Sequence, residues 1–131
     1  MWIESFDYGQ IEARCFGITA ADPAYLQALY KGYDIHLEAA LHLLDGNREL
    51  AATYRNDVKQ IVFAALFGAG NDRCAGGLGM LAPYTDMGTV GSRIRSYVLD
   101  RFPTFRVWQK EVSRVAYQVG YAETLFGVRR Y

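Results

Sequence analysis

The segment RELAATYRNDVKQIVFAALFG, residues 48–68, constrains the fold most, because it contains no proline and no glycine before its last position. It predicts an amphipathic helix that ends near Gly68, either as one long helix or as two helices with a break near Thr53-Tyr54. A helix of this kind buries its apolar positions against a core. The apolar positions expected in that core are Ile61, Val62 and Leu66.

Four side chains recur at every fourth position of this segment, and they are Arg55, Lys59, Phe63 and Phe67. On a helix they form a gently drifting stripe, roughly 18 Å long at about 1.5 Å per residue. A pair of cations suits a polyphosphate, and aromatic rings suit a nucleobase. The stripe therefore indicates a nucleotide-binding surface. The alternative is an amphipathic core helix whose Arg55 and Lys59 are simply solvated.

Capping residues and helix-ending residues divide the rest of the chain into further helices. Asp22-Pro23 and Asp34 are typical helix starts, and a helical pattern also follows Asp7. Two amphipathic segments near the end of the chain stop at Pro103 and at Gly120. The sequence therefore predicts a mainly α fold.

One short strand is predicted at each end of the chain, at residues 2–6 and 121–125, and Phe126-Gly127 opens a turn after the second. Strands need sheet partners, and within this sequence these two have at most each other. We therefore expect the chain to be a piece of a larger protein.

Composition excludes several classes of protein. The 131 residues are enough for one domain with its own core, and 51% of them are hydrophobic, which argues against disorder. The net charge of zero argues against a self-sufficient, strongly basic nucleic-acid binder. No apolar run is long enough to span a membrane, and the acidic start is not a signal peptide. Cys15 and Cys74 are expected to be reduced, buried thiols of an intracellular protein, without zinc.

The motif FDYGQIEAR, residues 6–14, places Asp7 where the first predicted strand passes into a helix. A carboxylate followed by a backbone carbonyl oxygen can bind Mg2+, a cation that prefers oxygen ligands. From the local sequence alone, Asp7 is equally readable as a helix cap.

This motif and the stripe together resemble the DYSQIELR and R…K…F/Y…YG motifs of the family A (polymerase I-like) DNA polymerases. DIH at residues 34–36 and the final stretch at residues 101–131 match further family motifs, the second being FPxVxxW…GYVxTxxGRRR. The resemblance implies part of a right-hand polymerase fold. Residues 1–20 would be a palm strand and helix with the first catalytic Asp, residues 21–120 the helical fingers, and residues 121–131 the start of a returning palm strand or hairpin.

The resemblance also implies roles for residues of the first motif. Asp7 would bind both catalytic Mg2+ ions, and the backbone carbonyl of Tyr8 would bind the second ion. Glu12 would be the steric gate that crowds a ribose 2′-hydroxyl and selects deoxynucleotides. Gln10 would lie near the same dNTP.

In the stripe, Arg55 and Lys59 would grip the phosphates of the incoming dNTP, and Lys59 would neutralise or protonate the leaving pyrophosphate. Phe63 would stack on the sugar and base, and Phe67 occupies the next aromatic position of the motif. His36 would lie near the dNTP phosphates; without the resemblance it reads as a surface histidine.

At the end of the chain, the resemblance places Thr124, Arg129 and Arg130 toward the primer-template DNA; otherwise they are simply a charged strand end. The motifs also depart from the family pattern. Phe67 stands for the usual Tyr, and Val128 for the first of three arginines. Gly9 for the usual Ser is a modest departure, whereas Val62-Phe63-Ala64 in place of Asn-Phe-Gly suggests a divergent, phage-like member.

The implied activity is template-directed transfer of a deoxynucleotide to a primer 3′-hydroxyl with two Mg2+ ions. The implied partners are dNTP, primer-template DNA and the remainder of the polymerase, which includes the thumb and a second catalytic Asp in a His-Asp-Glu motif. No His-Asp-Glu occurs in these 131 residues, so we expect the chain to be inactive alone. The expected location is a bacterial or phage-infected cytoplasm.

Three other functions remain open from the sequence. A single-subunit phage-type RNA polymerase shares the Arg…Lys…aromatic helix, but a ribonucleotide user should leave space at Glu12. A metal-dependent nuclease using Asp7 and Glu12 would need further clustered carboxylates, which the sequence pattern does not offer. A non-catalytic nucleic-acid-binding module would need more positive charge.

Overall fold

The chain is mainly helical over the residues that the computed structural model describes, which are 9–71, 74, 87–124 and 126–131. This confirms the predicted fold class. The helices are α1 (Ile11–Thr19), α2 (Pro23–Tyr30), α3 (Ile35–Leu43), α4 (Arg48–Leu66), α5 (Met87–Arg101) and α6 (Pro103–Val119), and the strands are β1 (Ala122–Glu123) and β2 (Arg129–Arg130). The strand predicted at residues 2–6 lies outside the described residues.

The predicted capping residues begin two of these helices. The Asp22 carboxylate accepts a hydrogen bond from the Tyr25 backbone N–H at 2.8 Å, and Pro23 occupies the first turn of α2. Asp34 caps α3 in the same way. Gly120, with a φ of 81°, ends α6 in the left-handed conformation that glycine adopts at low cost.

Helix α1 begins later than predicted. Its N-cap is Gln10, whose φ of 55° and ψ of 39° lie in the left-handed region, so the backbone cannot continue a right-handed helix from Asp7 through this position. The helical pattern predicted to follow Asp7 therefore begins only at Ile11, and the prediction is wrong for residues 9 and 10. Asp7 itself lies outside the described residues.

Helix α4 is a single helix of 19 residues with no break at Thr53-Tyr54. Asn47 caps it by accepting a hydrogen bond from the Leu50 N–H at 3.1 Å. The apolar positions predicted for the core are buried, as the pattern required: Ile61, Val62 and Leu66. The amphipathic pattern thus predicts which side of α4 faces inward.

The core has two connected parts. Helices α3, α4 and α5 pack together through small and aliphatic side chains, while aromatic rings join α1, α2 and α6. In the aromatic part, Phe105 is fully buried and makes edge contacts with Phe16 and Tyr25 at centroid distances of 5.2 and 4.9 Å. Gly17 allows the close approach of α1 and α2, because a Cβ there would lie 2.6 Å from the Tyr25 ring.

The last residues form a hairpin in which β1 and β2 pair antiparallel, with Ala122 opposite Arg130 and Glu123 opposite Arg129. Gly127 provides the positive φ of 78° that the turn needs. The expectation that the last strand had only residues 2–6 as a partner is therefore wrong, because the chain turns back on itself.

The two cysteines differ in exposure. Cys74 is buried as expected, but Cys15 is exposed on α1, so the expectation of two buried thiols is wrong for Cys15. The residues that α1 buries are Ala13, Phe16 and Gly17, whereas Cys15 lines an open groove beside Phe16. Within the described part of the chain, no helix is long and apolar enough to cross a membrane.

Candidate functional site

A polar cavity of about 170 Å³ lies where the start of α1 faces α3 and α4. Six of the residues predicted from the sequence to form a site line this cavity, together with Ile11. They are Gln10, Glu12, His36, Arg55, Lys59 and Phe63. Three segments that are separate in the sequence therefore contribute to one concave surface.

Helix α4 provides Arg55, Lys59 and Phe63 on one face of the cavity. The Lys59 ammonium lies 5.5 Å from the centroid of the Phe63 ring, which places the cation over the aromatic face. Each step of four residues turns the helix by about 40° beyond a full turn, so the stripe drifts by about 120° from Arg55 to Phe67. Phe67 therefore lies outside the cavity, at the C-cap of α4.

Phe67 borders an adjoining groove of about 320 Å³ that shares Ile11 and Glu12 with the cavity. Its ring is 73% exposed and makes an edge contact with Phe16 at 6.0 Å. Glu12 thus lies between the cation-lined cavity and an exposed aromatic ring.

His36 is the most buried polar residue of the cavity, with 1% of its surface exposed. Neither of its ring nitrogens has a hydrogen-bond partner among the described residues, and its ring contacts Phe63 edge-on at 5.1 Å. Burial lowers the pKa of His36 to about 4; the Asp34 carboxylate opposes this shift, and the Arg55 and Lys59 cations add to it. His36 is therefore neutral at pH 7, and its interpretation as a surface histidine is wrong.

Gln10 contributes a second polar group without a partner. Its Nε2 donates a hydrogen bond to the Tyr33 carbonyl at 3.4 Å, whereas its buried Oε1 has no partner within the described ranges. Leaving a buried polar group unsatisfied costs about 1–3 kcal/mol. The left-handed backbone of Gln10 is a further cost at the same place. Unsatisfied polar groups and backbone strain beside one cavity are typical of a ligand site.

Arg55 is held by Asp34 in an ion pair that sequence reasoning missed. Its Nε and one terminal nitrogen lie 2.8 and 2.6 Å from Asp34 Oδ2, and its side chain is 33% exposed. The alternative that Arg55 is simply solvated is therefore wrong. The partners are 21 residues apart, and the sequence pattern around Asp34 indicates only a helix cap.

The hairpin residues predicted to face DNA do not line the cavity. Thr124 closes the turn, because its hydroxyl accepts a hydrogen bond from the Val128 N–H at 3.1 Å. Arg129 pairs with Glu123 at 2.9 Å and lies 4.5 Å from the centroid of the Tyr121 ring. Arg130 is exposed at the second strand.

The predicted metal ligands, Asp7 and the carbonyl of Tyr8, lie outside the described residues. Among the residues that are described, no three His, Cys, Asp or Glu side chains come close enough together to hold a metal ion. A metal ligand set is therefore not part of the described cavity, which offers cations, a neutral imidazole and the single carboxylate of Glu12.

Comparison with known proteins identifies the family. The model of DNA polymerase family A matches residues 1–131. The chain is 32% identical over 128 residues to the thermostable DNA polymerase I of Thermus aquaticus and 33% identical over 126 residues to DNA polymerase I of Deinococcus radiodurans. These matches cover 97% and 95% of the chain but only 15% and 13% of those relatives.

A solved structure has the same fold. The POL domain of Pol1 from M. smegmatis, in complex with DNA primer-template and dNTP, matches with a TM-score of 0.70 and 25% sequence identity. The match covers 95% of this chain and 21% of that chain. The chain therefore belongs to DNA polymerase family A, and it spans about one seventh of the length of the curated relatives named above.

Proposed function

We propose that this chain binds the incoming dNTP in a template-directed DNA polymerase that transfers a nucleotide to a primer 3′-hydroxyl. The single observation that carries the proposal is the cavity in which the buried, unpartnered His36 lies with Arg55 and Lys59. Two cations next to a neutral imidazole suit phosphate oxygens, which need charge compensation and hydrogen-bond donors.

The size of the cavity favours a binding mode in which the cavity holds only part of the nucleotide. Sites for whole small molecules are usually at least about 300 Å³, and this cavity is about 170 Å³. A triphosphate would occupy the cavity, and the sugar and base would lie over Phe63 toward the groove beside Phe67. Glu12 lies between these two regions and would crowd a ribose 2′-hydroxyl, which favours a deoxynucleotide.

Four polar residues of the cavity then have proposed roles in binding the nucleotide. Arg55 and Lys59 bind the phosphates, and Lys59 holds a proton that it can give to the leaving pyrophosphate. His36, being neutral, donates one N–H to a phosphate oxygen. Gln10 offers its Oε1 to a donor on the nucleotide. These groups act by charge and position, because phosphoryl transfer leaves little covalent chemistry to the protein.

We also propose that Asp7 and the carbonyl of Tyr8 bind Mg2+, since both offer the oxygen ligands that this ion prefers. Bound Mg2+ ions would activate the 3′-hydroxyl and stabilise the pyrophosphate. Thr124, Arg129 and Arg130 are proposed to face primer-template DNA. The second catalytic Asp and the thumb would come from the remainder of the polymerase, in a bacterial or phage-infected cytoplasm.

The nearest test is binding of dATP with Mg2+ to the chain, measured by isothermal titration calorimetry. Arg55→Ala and Lys59→Ala should each weaken binding by about tenfold or more, because each removes a charged hydrogen bond to phosphate. Arg48→Ala removes an equal charge from the exposed first residue of α4 and is the matched control. No detectable binding by the unmodified chain, or equal losses in all three variants, would contradict the proposal.

Turnover requires a complete polymerase. We define the grafted polymerase as the Thermus aquaticus enzyme in which this chain replaces the matched segment; a thermostable scaffold leaves a margin for imperfect packing. It should extend a primer with dNTP in preference to rNTP, and Glu12→Ala should reduce that preference. A preference for rNTP in the unmodified graft would instead favour the RNA polymerase alternative.

A further inference from the structure

The Asp34 carboxylate connects two sides of the cavity. Its Oδ1 accepts hydrogen bonds from the backbone N–H groups of His36 and Leu37, at 3.0 and 3.2 Å, and so caps α3. Its Oδ2 accepts a hydrogen bond from Arg55 Nε of α4 at 2.8 Å and lies 2.6 Å from a terminal nitrogen of the same guanidinium. One side chain thus holds both the helix that begins at His36 and the guanidinium that lines the cavity.

The contact fixes the orientation of Arg55. A guanidinium is planar and has five N–H donors, so one hydrogen bond and one ion-pair contact to the same oxygen restrain its plane while other donors can still reach a ligand. An unrestrained arginine loses rotamer freedom when it binds a ligand. Asp34 removes that freedom in advance, with 25% of its own side chain exposed.

Asp34 stays charged at neutral pH, as this contact requires. Burial alone would raise the pKa of Asp34, but hydrogen bonds from Arg55 and from the amides of Leu37 and His36 outweigh burial and lower it. The carboxylate is therefore an anion beside a site proposed for a polyanion. The negative charge of Asp34 repels a triphosphate and so lowers its affinity. The contact of Asp34 with Arg55 orients the guanidinium and so raises that affinity.

We propose that Asp34 is a positioning residue of the triphosphate site, which orients Arg55 toward the phosphates and sets His36 at the start of α3. This inference rests on the proposed function, because it names what prepares that site. Asp34 itself is not among the residues that line the cavity. Its effect on affinity passes through Arg55 and His36.

The test compares Asp34→Asn with Asp22→Asn in the full chain. Asparagine is a good N-cap, so both variants keep a capped helix, but only Asp34→Asn loses an ion pair. If positioning dominates, Asp34→Asn should weaken binding of dATP with Mg2+ by about 3- to 10-fold, and Asp22→Asn should leave it unchanged. Asp34→Glu restores a carboxylate and should recover part of the affinity.

The outcomes separate the two proposals. If the unmodified chain binds dATP and Asp34→Asn binds it equally well or more tightly, repulsion outweighs positioning and the inference is wrong, while the proposed function stands. If the unmodified chain does not bind dATP, the proposed function fails and the inference fails with it. Urea unfolding of both asparagine variants checks for loss of fold, and Asp34→Glu with no recovery would also count against the inference.

Discussion

At the scale of single residues, the buried imidazole of His36 links stability to pH. Its pKa is lowered from 6.5 to about 4 in the folded chain, so between these values the unfolded chain takes up a proton that the folded chain resists. The free energy of unfolding should therefore fall as the pH falls through this interval, by up to about 3 kcal/mol. The loss should be absent above pH 7 and complete below pH 4.

His36→Gln removes the titrating group and should flatten the dependence of unfolding free energy on pH between about 6.5 and 4. Urea unfolding at several pH values in this range provides the measurement. His42→Gln is the matched control, since His42 is exposed and stacks on Tyr97 at the surface. If the free energy of unfolding of His36→Gln depends on pH as it does in the unmodified chain, burial of this imidazole does not cause the pH dependence.

The exposed ring of Phe67 provides a second prediction at this scale. Phe67→Tyr adds a hydroxyl beside the groove that Phe67 shares with Glu12, where it can donate a hydrogen bond to the carboxylate. A hydrogen bond to a charged group contributes about 1.5–3 kcal/mol when buried and less at an exposed position such as this one. Glu12 should be held more firmly, and the grafted polymerase should incorporate fewer ribonucleotides per deoxynucleotide.

The measurement for Phe67→Tyr is the ratio of rNTP to dNTP incorporation in primer extension. Phe126→Tyr adds the same hydroxyl to an exposed ring in the terminal hairpin and should leave the ratio as it is. An equal ratio for Phe67→Tyr and its parent would argue against a role for this position in sugar selection.

At the scale of elements, side chains from α5 and α6 hold the C-terminal end of α4. Gln109 Nε2 donates to the carbonyls of Ala65 and Leu66 at 2.8 and 2.5 Å, and Arg95 Nε donates to the Ala69 carbonyl at 3.2 Å. The last carbonyls of a helix have no partner within the helix. Gln109 provides a donor for the Leu66 carbonyl and an additional donor for Ala65, which also accepts from the Gly68 N–H. Hydrogen bonds from α5 and α6 therefore hold this end of α4, the helix that carries the cavity cations.

Gln109→Leu keeps the approximate volume but removes the Nε2 donor, so the carbonyl of the buried Leu66 loses this hydrogen bond, while the Ala65 carbonyl still accepts one from the Gly68 N–H. The free energy of unfolding should fall by about 1–3 kcal/mol. Urea unfolding followed by circular dichroism measures the change. Gln118→Leu, on the same helix at an exposed position, should change stability by less than about 0.5 kcal/mol; equal losses in the two variants would contradict the role of Gln109.

The elements that the sequence predicts best are those whose boundaries depend on local contacts. Asp22, Asp34 and Gly120 mark helix ends because the capping atoms lie within a few residues of the groups that they satisfy. The predicted start of α1 is wrong because Gln10 has a left-handed backbone. Glutamine rarely adopts this conformation, and no local sequence pattern indicates it.

In the site, too, the sequence predicts the features that depend on local spacing and not those that depend on how the helices pack. The spacing of Arg55, Lys59 and Phe63 predicts that they share a face of α4, since this depends only on the helical period. The ion pair of Arg55 with Asp34 and the burial of His36 depend on how α3 packs against α4, and no short-range pattern encodes that packing. The family motifs indicate His36 as a site residue. They do not indicate that its ring nitrogens have no hydrogen-bond partner among the described residues.

At the scale of the whole molecule, the balance of charge limits what the chain can do alone. Its net charge is zero, and the described cavity is lined by two cations, Arg55 and Lys59. Nucleic-acid binding depends mainly on neutralising many phosphates, so a neutral chain gains little affinity from this source. We expect the chain to bind dATP while its affinity for primer-template DNA is low and depends only weakly on salt, because few phosphates are neutralised.

The 131-residue chain should therefore not extend a primer, although the grafted polymerase should. Nucleotidyl transfer needs two metal ions between carboxylates, and among the described residues no cluster of potential ligands exists, while Asp7 is the one catalytic carboxylate predicted from the sequence. Primer extension with Mg2+ and all four dNTPs, at matched concentrations of chain and graft, measures the difference. The graft carrying Asp7→Ala should lose activity, which checks that extension depends on this segment. Templated, Mg2+-dependent extension by the chain alone would mean that it holds a complete set of metal ligands, and the proposed division of the active site would be wrong.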